Sequence, residues 1–227
     1  MKTRIILPDT DGISEAGAIL RSGGLVAFPT ETVYGLGANA LDATATKHIY
    51  EAKGRPSDNP MIVHVANIDM LNGVASGVTD AQKAIMSKLW PGPITFVLHK
   101  NPAVPDVTTG GLDTVAVRWP SRREAAEIIE AAGVPIAAPS ANISGKPSPT
   151  TFEDVAEDMD GRIDAIVKGE RTAIGIESTV LDLTSEVPTI LRPGFITKSQ
   201  IEEAVDGEVR YDPSLFKKPG ADDFHPK

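Results

Sequence analysis

Cysteine is absent from all 227 residues of this chain. That excludes disulfide frameworks, thiolate nucleophiles, thiolate zinc sites and iron–sulfur clusters together. Long apolar runs are missing too, and nothing approaches the roughly 20 residues that span a bilayer. The apolar patch Ile5-Ile6-Leu7 is cut at once by Pro8 and Asp9, too short for a signal-peptide core. A cytoplasmic location is therefore expected. Basic side chains are outnumbered, 22 against 31 acidic ones, for a net charge of −9. This argues against a globally basic nucleic-acid binder, although a local basic groove stays open. The four histidines (His48, His64, His99, His225) are scattered and form no HExxH-like pair. What remains is the composition of a globular chain, 41% hydrophobic and 23% charged, long enough for a sizeable core.

Short apolar segments alternate with helical patterns. Helices are expected at Ser14 to Arg21, from an Asp42 cap to Lys53, Thr79 to Leu89, and Thr197 to Ala204. Two more should open with capping boxes, at Ser121-Arg-Arg-Glu124 and Thr150-Thr-Phe-Glu153. Strands are expected at Leu25 to Phe28, Met61 to Val65, Ile94 to Leu98, Thr114 to Arg118 and Ile136 to Ala138. Three more follow at Ala165 to Val167, Thr179 to Leu183 and Thr189 to Leu191. This interleaving implies an α/β fold around one twisted, mixed sheet. Periodicity stops after Val205, so residues 206–227 read as a linker-like tail.

Polar, Gly/Pro-rich loops lie beside the strands at Pro29 to Ala38, Lys53 to Pro60, Thr108 to Asp113, Pro139 to Thr150 and Gly175 to Ser178. Strand-end loops are where open α/β sheets build ligand sites. Gly35-Leu-Gly37-Ala-Asn-Ala40 fits a dinucleotide fingerprint, but it does not directly follow a strand and reads as a Gly-rich turn. Ser140-Ala-Asn-Ile-Ser-Gly145-Lys146-Pro147 fails as a P-loop at both ends. It leaves a hydroxyl- and amide-rich loop suited to a ribose, a base edge or a phosphate. Lys53 and Arg55 sit on a bent loop fixed by Gly54 and Pro56, a plausible anion clamp. Arg118 and Arg192 each end a strand just before a proline-containing turn. His64, inside an apolar strand, is a weaker candidate. No Ser–His–Asp pattern or activated nucleophile is present. The residues alone point to an α/β protein binding a phosphorylated or carboxylated small molecule.

Those loops resemble the YrdC-type threonylcarbamoyl-AMP synthase family. The segments are PTETVYGLGANAL from Pro29, EAKGRPSDNPMIVHV from Glu51, LWPGPITFVL from Leu89 and VAVRWP from Val115. APSANISGKPSPT from Ala138, ESTVLD from Glu177 and ILRPG from Ile190 complete the series in family order. Lys53, Arg55, Ser140 and Asn142 are similar to the family's KxR…SxN signature.

The resemblance implies a single YrdC-like domain over residues 1–205 with a central basic groove. It implies a nucleotidyltransferase reaction of L-threonine, bicarbonate and ATP to threonylcarbamoyl-AMP and pyrophosphate, for tRNA t6A37 modification. Mg²⁺ would ride on the nucleotide, with no metal held by the protein alone. Lys53 and Arg55 would be catalytic, holding bicarbonate and phosphate oxygens. Ser57, Thr114, Ser140, Asn142, Ser148 and Arg192 would join Lys53 around ATP. Thr32, His64, Arg118, Ala138 and Ser178 would hold threonine. Implied partners are tRNA or double-stranded RNA and the downstream transferase machinery, with no membrane. The alternative is a non-enzymatic double-stranded RNA-binding module. The family's long form continues through a linker across the active site. Lys218-Pro219-Gly220 and Phe224 to Lys227 faintly resemble its start, with Phe224 or His225 as possible nucleotide contacts.

Overall fold

A computed structural model describes residues 2–216. The expectations placed on Lys218 to Lys227, including Phe224 and His225, lie outside the described residues. In chain order the first elements are β1 (Arg4–Ile6), α1 (Thr10–Arg21), β2 (Val26–Pro29), β3 (Tyr34–Asn39), α2 (Ala43–Lys53), β4 (Ile62–His64) and α3 (Ile68–Val74). They are followed by α4 (Asp80–Leu89), β5 (Ile94–His99), α5 (Asp106–Thr109), β6 (Thr114–Arg118), α6 (Arg123–Ala132) and β7 (Ile136–Ala137). The last are α7 (Phe152–Met159), β8 (Ala165–Val167), β9 (Thr179–Asp182), β10 (Thr189–Arg192), α8 (Lys198–Val205), β11 (Arg210–Tyr211) and a 3₁₀ turn (Pro213–Phe216).

Local chemistry sets most helix ends. Asp42 accepts from Thr44 N and Ala45 N at the start of α2, and left-handed Gly54 (φ 60°) closes it. Thr79 with Gln82 and Thr197 with Gln200 form reciprocal capping boxes on α4 and α8. Three expectations shift. Helix α1 begins at Thr10, because Asp9 caps it and accepts from Gly12 N. Helix α6 has no box at Ser121; Arg122 takes the cap position and its guanidinium pairs with Glu124. The second box is one residue later than expected, between Thr151 and Asp154.

The strands form one mixed sheet in the order β1-β8-β2-β3-β7-β4-β6-β5-β9-β10-β11. Parallel pairs such as β4 with β6 sit beside antiparallel pairs such as β5 with β6. The sheet runs past the expected boundary at residue 205, because β11 adds to β10. Its middle is buried on both faces. Val26 and Phe28 join a core with Leu20 of α1 and Ile128 and Ile129 of α6. Ala27, between them, faces the larger core with Leu36, Ile49 and Met61. Period-two alternation thus feeds two cores from one strand. Each fully buried Leu, Ile or Phe contributes roughly 1.5–3 kcal/mol.

The Gly-rich segment expected as a turn is strand β3, paired between β2 and β7. Glycine is required at position 37 by space: a Cβ there would lie 2.7 Å from Phe28 Cε1 and 2.9 Å from Ile136 Cγ2. No helix among the described residues is long and apolar enough to cross a membrane.

Candidate active site

Several strand ends meet along one edge of the sheet. Arg118 closes β6, His64 closes β4 opposite it in register, and Thr95 of β5 pairs with Arg118 from the other side. Ser178 immediately precedes β9, and Arg192 closes antiparallel β10. The loop from Thr30 to Val33 and the segment Ala138 to Ser140 complete a cavity of about 150 Å³. Its walls carry the cations Arg55, Arg118 and Arg192 and the carboxylate of Glu177.

One end of the cavity is built on Arg118. The side chain is buried, and its Nη1 donates to Thr32 Oγ1 at 2.9 Å. Nη2 lies 2.7 Å from Glu31 Oε1 but makes no well-aligned hydrogen bond. Thr32 is braced in turn by Thr30 Oγ1 at 3.0 Å. His64 is buried beside them, and its Nδ1 has no hydrogen-bond partner among the described residues. Burial, and then the nearby Arg118 charge, pushes its pKa down to about 3. The imidazole is therefore neutral at any ordinary pH, free to accept or donate through a ring nitrogen.

The other end gathers phosphate-like chemistry. Arg192 pairs closely with Glu177, and its Nη2 donates to Ser178 O at 2.9 Å and Ser178 Oγ at 3.1 Å. Ser178 Oγ also meets Thr95 Oγ1 at 2.8 Å, which ties the two ends together. Ser148 Oγ donates to Glu177 Oε1 at 3.0 Å. Arg55 Nη2 donates to Pro60 O at 3.1 Å. Burial lowers the pKa of both Arg55 and Arg192; the Arg192 charge is a lesser cause for Arg55, and the Arg118 charge for Arg192. A site that desolvates like charges side by side is poised for an anion.

Of the residues expected from sequence, the cavity wall brings together Thr32, Arg55, His64, Arg118, Ala138, Ser140, Ser178 and Arg192. Lys53, Ser57, Thr114, Asn142 and Ser148 are not on it. Ser57 is exposed and Thr114 is half-buried at the far, N-terminal end of β6. Lys53 is one of the most buried side chains; its Nζ donates to Asn142 O at 2.5 Å and, more closely still, to Ser140 O. Asn142 Oδ1 accepts from Ser140 Oγ at 2.6 Å, and its Nδ2 holds Ile143 O and Lys146 O. Lys53 and Asn142 thus shape the loop that presents Ser140. Thr30, Asn59 and Glu177 line the cavity without having been singled out. Each lies inside a segment quoted for the family resemblance and in one of the polar loops beside the strands, and nothing else pointed to them.

Gly194 fixes the Ser178 wall. A Cβ there would fall 2.4 Å from Thr179 N and 2.6 Å from Glu177 O, both backbone atoms that cannot swing away. Gly194→Ala is expected to destabilise the fold by about 1–3 kcal/mol and to weaken anion binding with it. Thermal unfolding and phosphate titration check this; a variant matching wild type in both would contradict the crowding.

The chain is similar to known proteins over most of its length. The family model for Sua5, YciO and YrdC proteins, described as "Telomere recombination", matches residues 18–194. Threonylcarbamoyl-AMP synthases of Pyrococcus abyssi and Bacillus subtilis are each 54% identical over 89% of this chain. The chain spans 59% of the length of each. A putative threonylcarbamoyl-AMP synthase of Mycobacterium tuberculosis is 32% identical, with 86% of this chain and 89% of the relative aligned. The crystal structure of P. abyssi Sua5 complexed with L-threonine superimposes with a TM-score of 0.92 at 51% identity, covering 96% of this chain and 65% of that one. Escherichia coli YciO superimposes at 0.77 with 25% identity, covering 88% and 98%. By fold, by sequence and by the extent of the match, this chain belongs to the Sua5/YciO/YrdC family.

Proposed function

We propose that this chain is a threonylcarbamoyl-AMP synthase, a nucleotidyltransferase that converts L-threonine, bicarbonate and ATP to threonylcarbamoyl-AMP and pyrophosphate for tRNA t6A37 modification. One observation carries the reading: a single cavity is lined both by Arg118 with Thr32 and His64, suited to a carboxylate, and by Arg55 with Arg192 and Ser140, suited to phosphate oxygens. The solved P. abyssi relative was complexed with L-threonine, which supports threonine as a substrate.

The chemistry needs both ends. The threonine amine attacks the carbon of bicarbonate, forming the N–C bond of a carbamate with loss of water. A carbamate oxygen then attacks the α-phosphorus of ATP. The new O–P bond forms as the bond to the β-phosphate oxygen breaks and pyrophosphate leaves. Both reactants are anionic, so they repel in water. Arg55 and Arg192 offset that repulsion, and the shared cavity supplies proximity. Arg118 suits a bidentate carboxylate, which fixes the amine relative to the phosphates. Ser178, bonded to Thr95 and Arg192, stands between the two ends. Lys53 acts by holding Ser140 and Asn142, and so shapes the nucleotide side. Ser57, Thr114 and Ser148 belong to the same reading as outer contacts to ATP, and Ala138 as a backbone contact to threonine.

The cavity wall has one carboxylate, Glu177, already shared by Arg192 and Ser148. Mg²⁺ fits this donor set best as an ion carried in on the triphosphate, and no step is routed through it. The product passes to a tRNA-modifying transferase, which places the enzyme in the cytoplasm with its tRNA. Pyrophosphate release should require both L-threonine and bicarbonate when each is omitted in turn. Release indifferent to threonine, or none from folded chain, would overturn the reading. Salt-sensitive RNA binding without such turnover would favour the RNA-binding alternative.

A further inference from the structure

Glu31 is 9% exposed, and both its carboxylate oxygens are shut off from solvent without a hydrogen-bond partner among the described residues. Buried carboxylates ordinarily collect several donors, because leaving one bare is costly. Among the described residues the one ionic partner of Glu31 is Arg118, at 2.7 Å. Neither residue is needed to hold the other's backbone: Glu31 O accepts from Ile174 N, and Arg118 lies in the β6 ladder. A buried ion pair of this kind is weak evidence for stability, so its effect on the cavity is the more informative question.

We propose that Glu31 is a specificity-determining positioning residue: it balances Arg118, so that the amino-acid end of the cavity selects a zwitterion over a simple carboxylic acid. The inference rests on the proposed function and extends it. With neutral His64, the formal charge of this end is zero, one guanidinium against one carboxylate. A ligand whose own charge is zero, carrying a carboxylate and an ammonium, leaves the balance intact. A ligand with the same carboxylate and no amine brings an uncompensated negative charge beside Glu31. The opposite end differs, because Arg55 and Arg192 are countered there by a single wall carboxylate, Glu177, and Arg192 also feels the Arg118 charge. That excess of positive charge suits phosphate and carbamate oxygens. The two ends are thus sorted by net charge as well as by shape, and the field of Glu31 acts through Arg118 without touching the ligand.

The test is calorimetric titration of the whole chain with L-threonine and with 3-hydroxybutyrate, which is threonine without its amine. Wild type should bind threonine and discriminate strongly against 3-hydroxybutyrate. Glu31→Gln keeps the shape and removes the charge, and should narrow the ratio of the two dissociation constants by roughly tenfold. Glu31→Asp should restore the wild-type ratio, which a purely structural role would not predict. If Glu31→Gln does not fold, Glu31→Met removes the same charge and carries the same expectation. A folded, charge-free variant with the wild-type ratio overturns the inference and leaves the proposed function standing. A wild-type chain that binds no threonine overturns both.

Discussion

Arg118→Ala is expected to lower stability by about 3–5 kcal/mol and to remove measurable L-threonine binding. The two effects have one origin. Arg118 is buried at the end of β6, donates to Thr32 and faces the Glu31 carboxylate. Its loss leaves Glu31 buried without a countercharge and unpins Thr32 at the same time. In a domain of this size such a loss lowers the melting temperature on the order of 10 °C. The double variant Arg118→Ala/Glu31→Gln should recover much of that stability, because the stranded charge is gone. It should not recover binding, because the guanidinium is still missing. Thermal unfolding and threonine titration of the singles and the double read the two effects separately. An Arg118→Ala protein as stable as wild type would show that the pair does not matter to the fold.

If the chain is the proposed synthase, Lys53→Met is expected to reduce kcat/KM for ATP at least roughly tenfold, mainly through a raised KM. Lys53 ends α2 and buries its ammonium against Ser140 O and Asn142 O, while its own carbonyl accepts from Ser144 N. Side chain and backbone together stitch the 140–146 loop onto the helix. Methionine matches the length but strands two carbonyls, at about 1–3 kcal/mol for each left unpaired, offset in part by removing a buried charge. A pH signature separates this residue from others. Burial, and then the neighbouring Arg55, pushes the Lys53 pKa down to about 7, from 10.5 for an ordinary lysine. Between those values the unfolded chain binds a proton that the folded chain releases. Folding is therefore favoured increasingly as pH rises from about 7 toward 10, with a slope near 1.4 kcal/mol per unit from this group. Below pH 7 the charge is held in both states and its burial cost is fully present. The stability difference between wild type and Lys53→Met should move in favour of wild type across that window. Parallel pH–stability curves for the two proteins would contradict it.

Much of this architecture was legible in local sequence because it rests on local physics. The Asp42 cap, the Gly54 stop and the helix starts at Thr79 and Thr197 involve hydrogen bonds that close within four residues, although the reciprocal boxes at the last two were not expected. Strands β6 and β8 are short β-branched or apolar runs bounded by polar residues, and their limits are as expected. The box expected at Ser121 failed because Arg122 found Glu124, a pairing that competes with capping and that periodicity does not reveal. Strand β3 was hidden by its glycines, which carry little β-propensity. It is a strand because β2 and β7 flank it and because Phe28 and Ile136 leave no space for a side chain at Gly37.

The sequence by itself determined the α/β alternation, most helix ends, and which loops would meet at the cavity, including Arg55, Arg118, Ser140 and Arg192. These follow from residue types at short separations. Only the tertiary structure decided what each of those side chains faces. Lys53 reads as half of an anion clamp on a bent loop, yet the 140–146 loop covers it and its ammonium is spent on Ser140 O and Asn142 O. Glu31 reads as one acid among many, yet folding sets it against Arg118, 87 positions away, and removes water from both. Burial and pairing of charge depend on contacts between distant strand ends, and no local pattern encodes them. That is why the loops that line the cavity were visible in the chain, while the charge balance inside it was not.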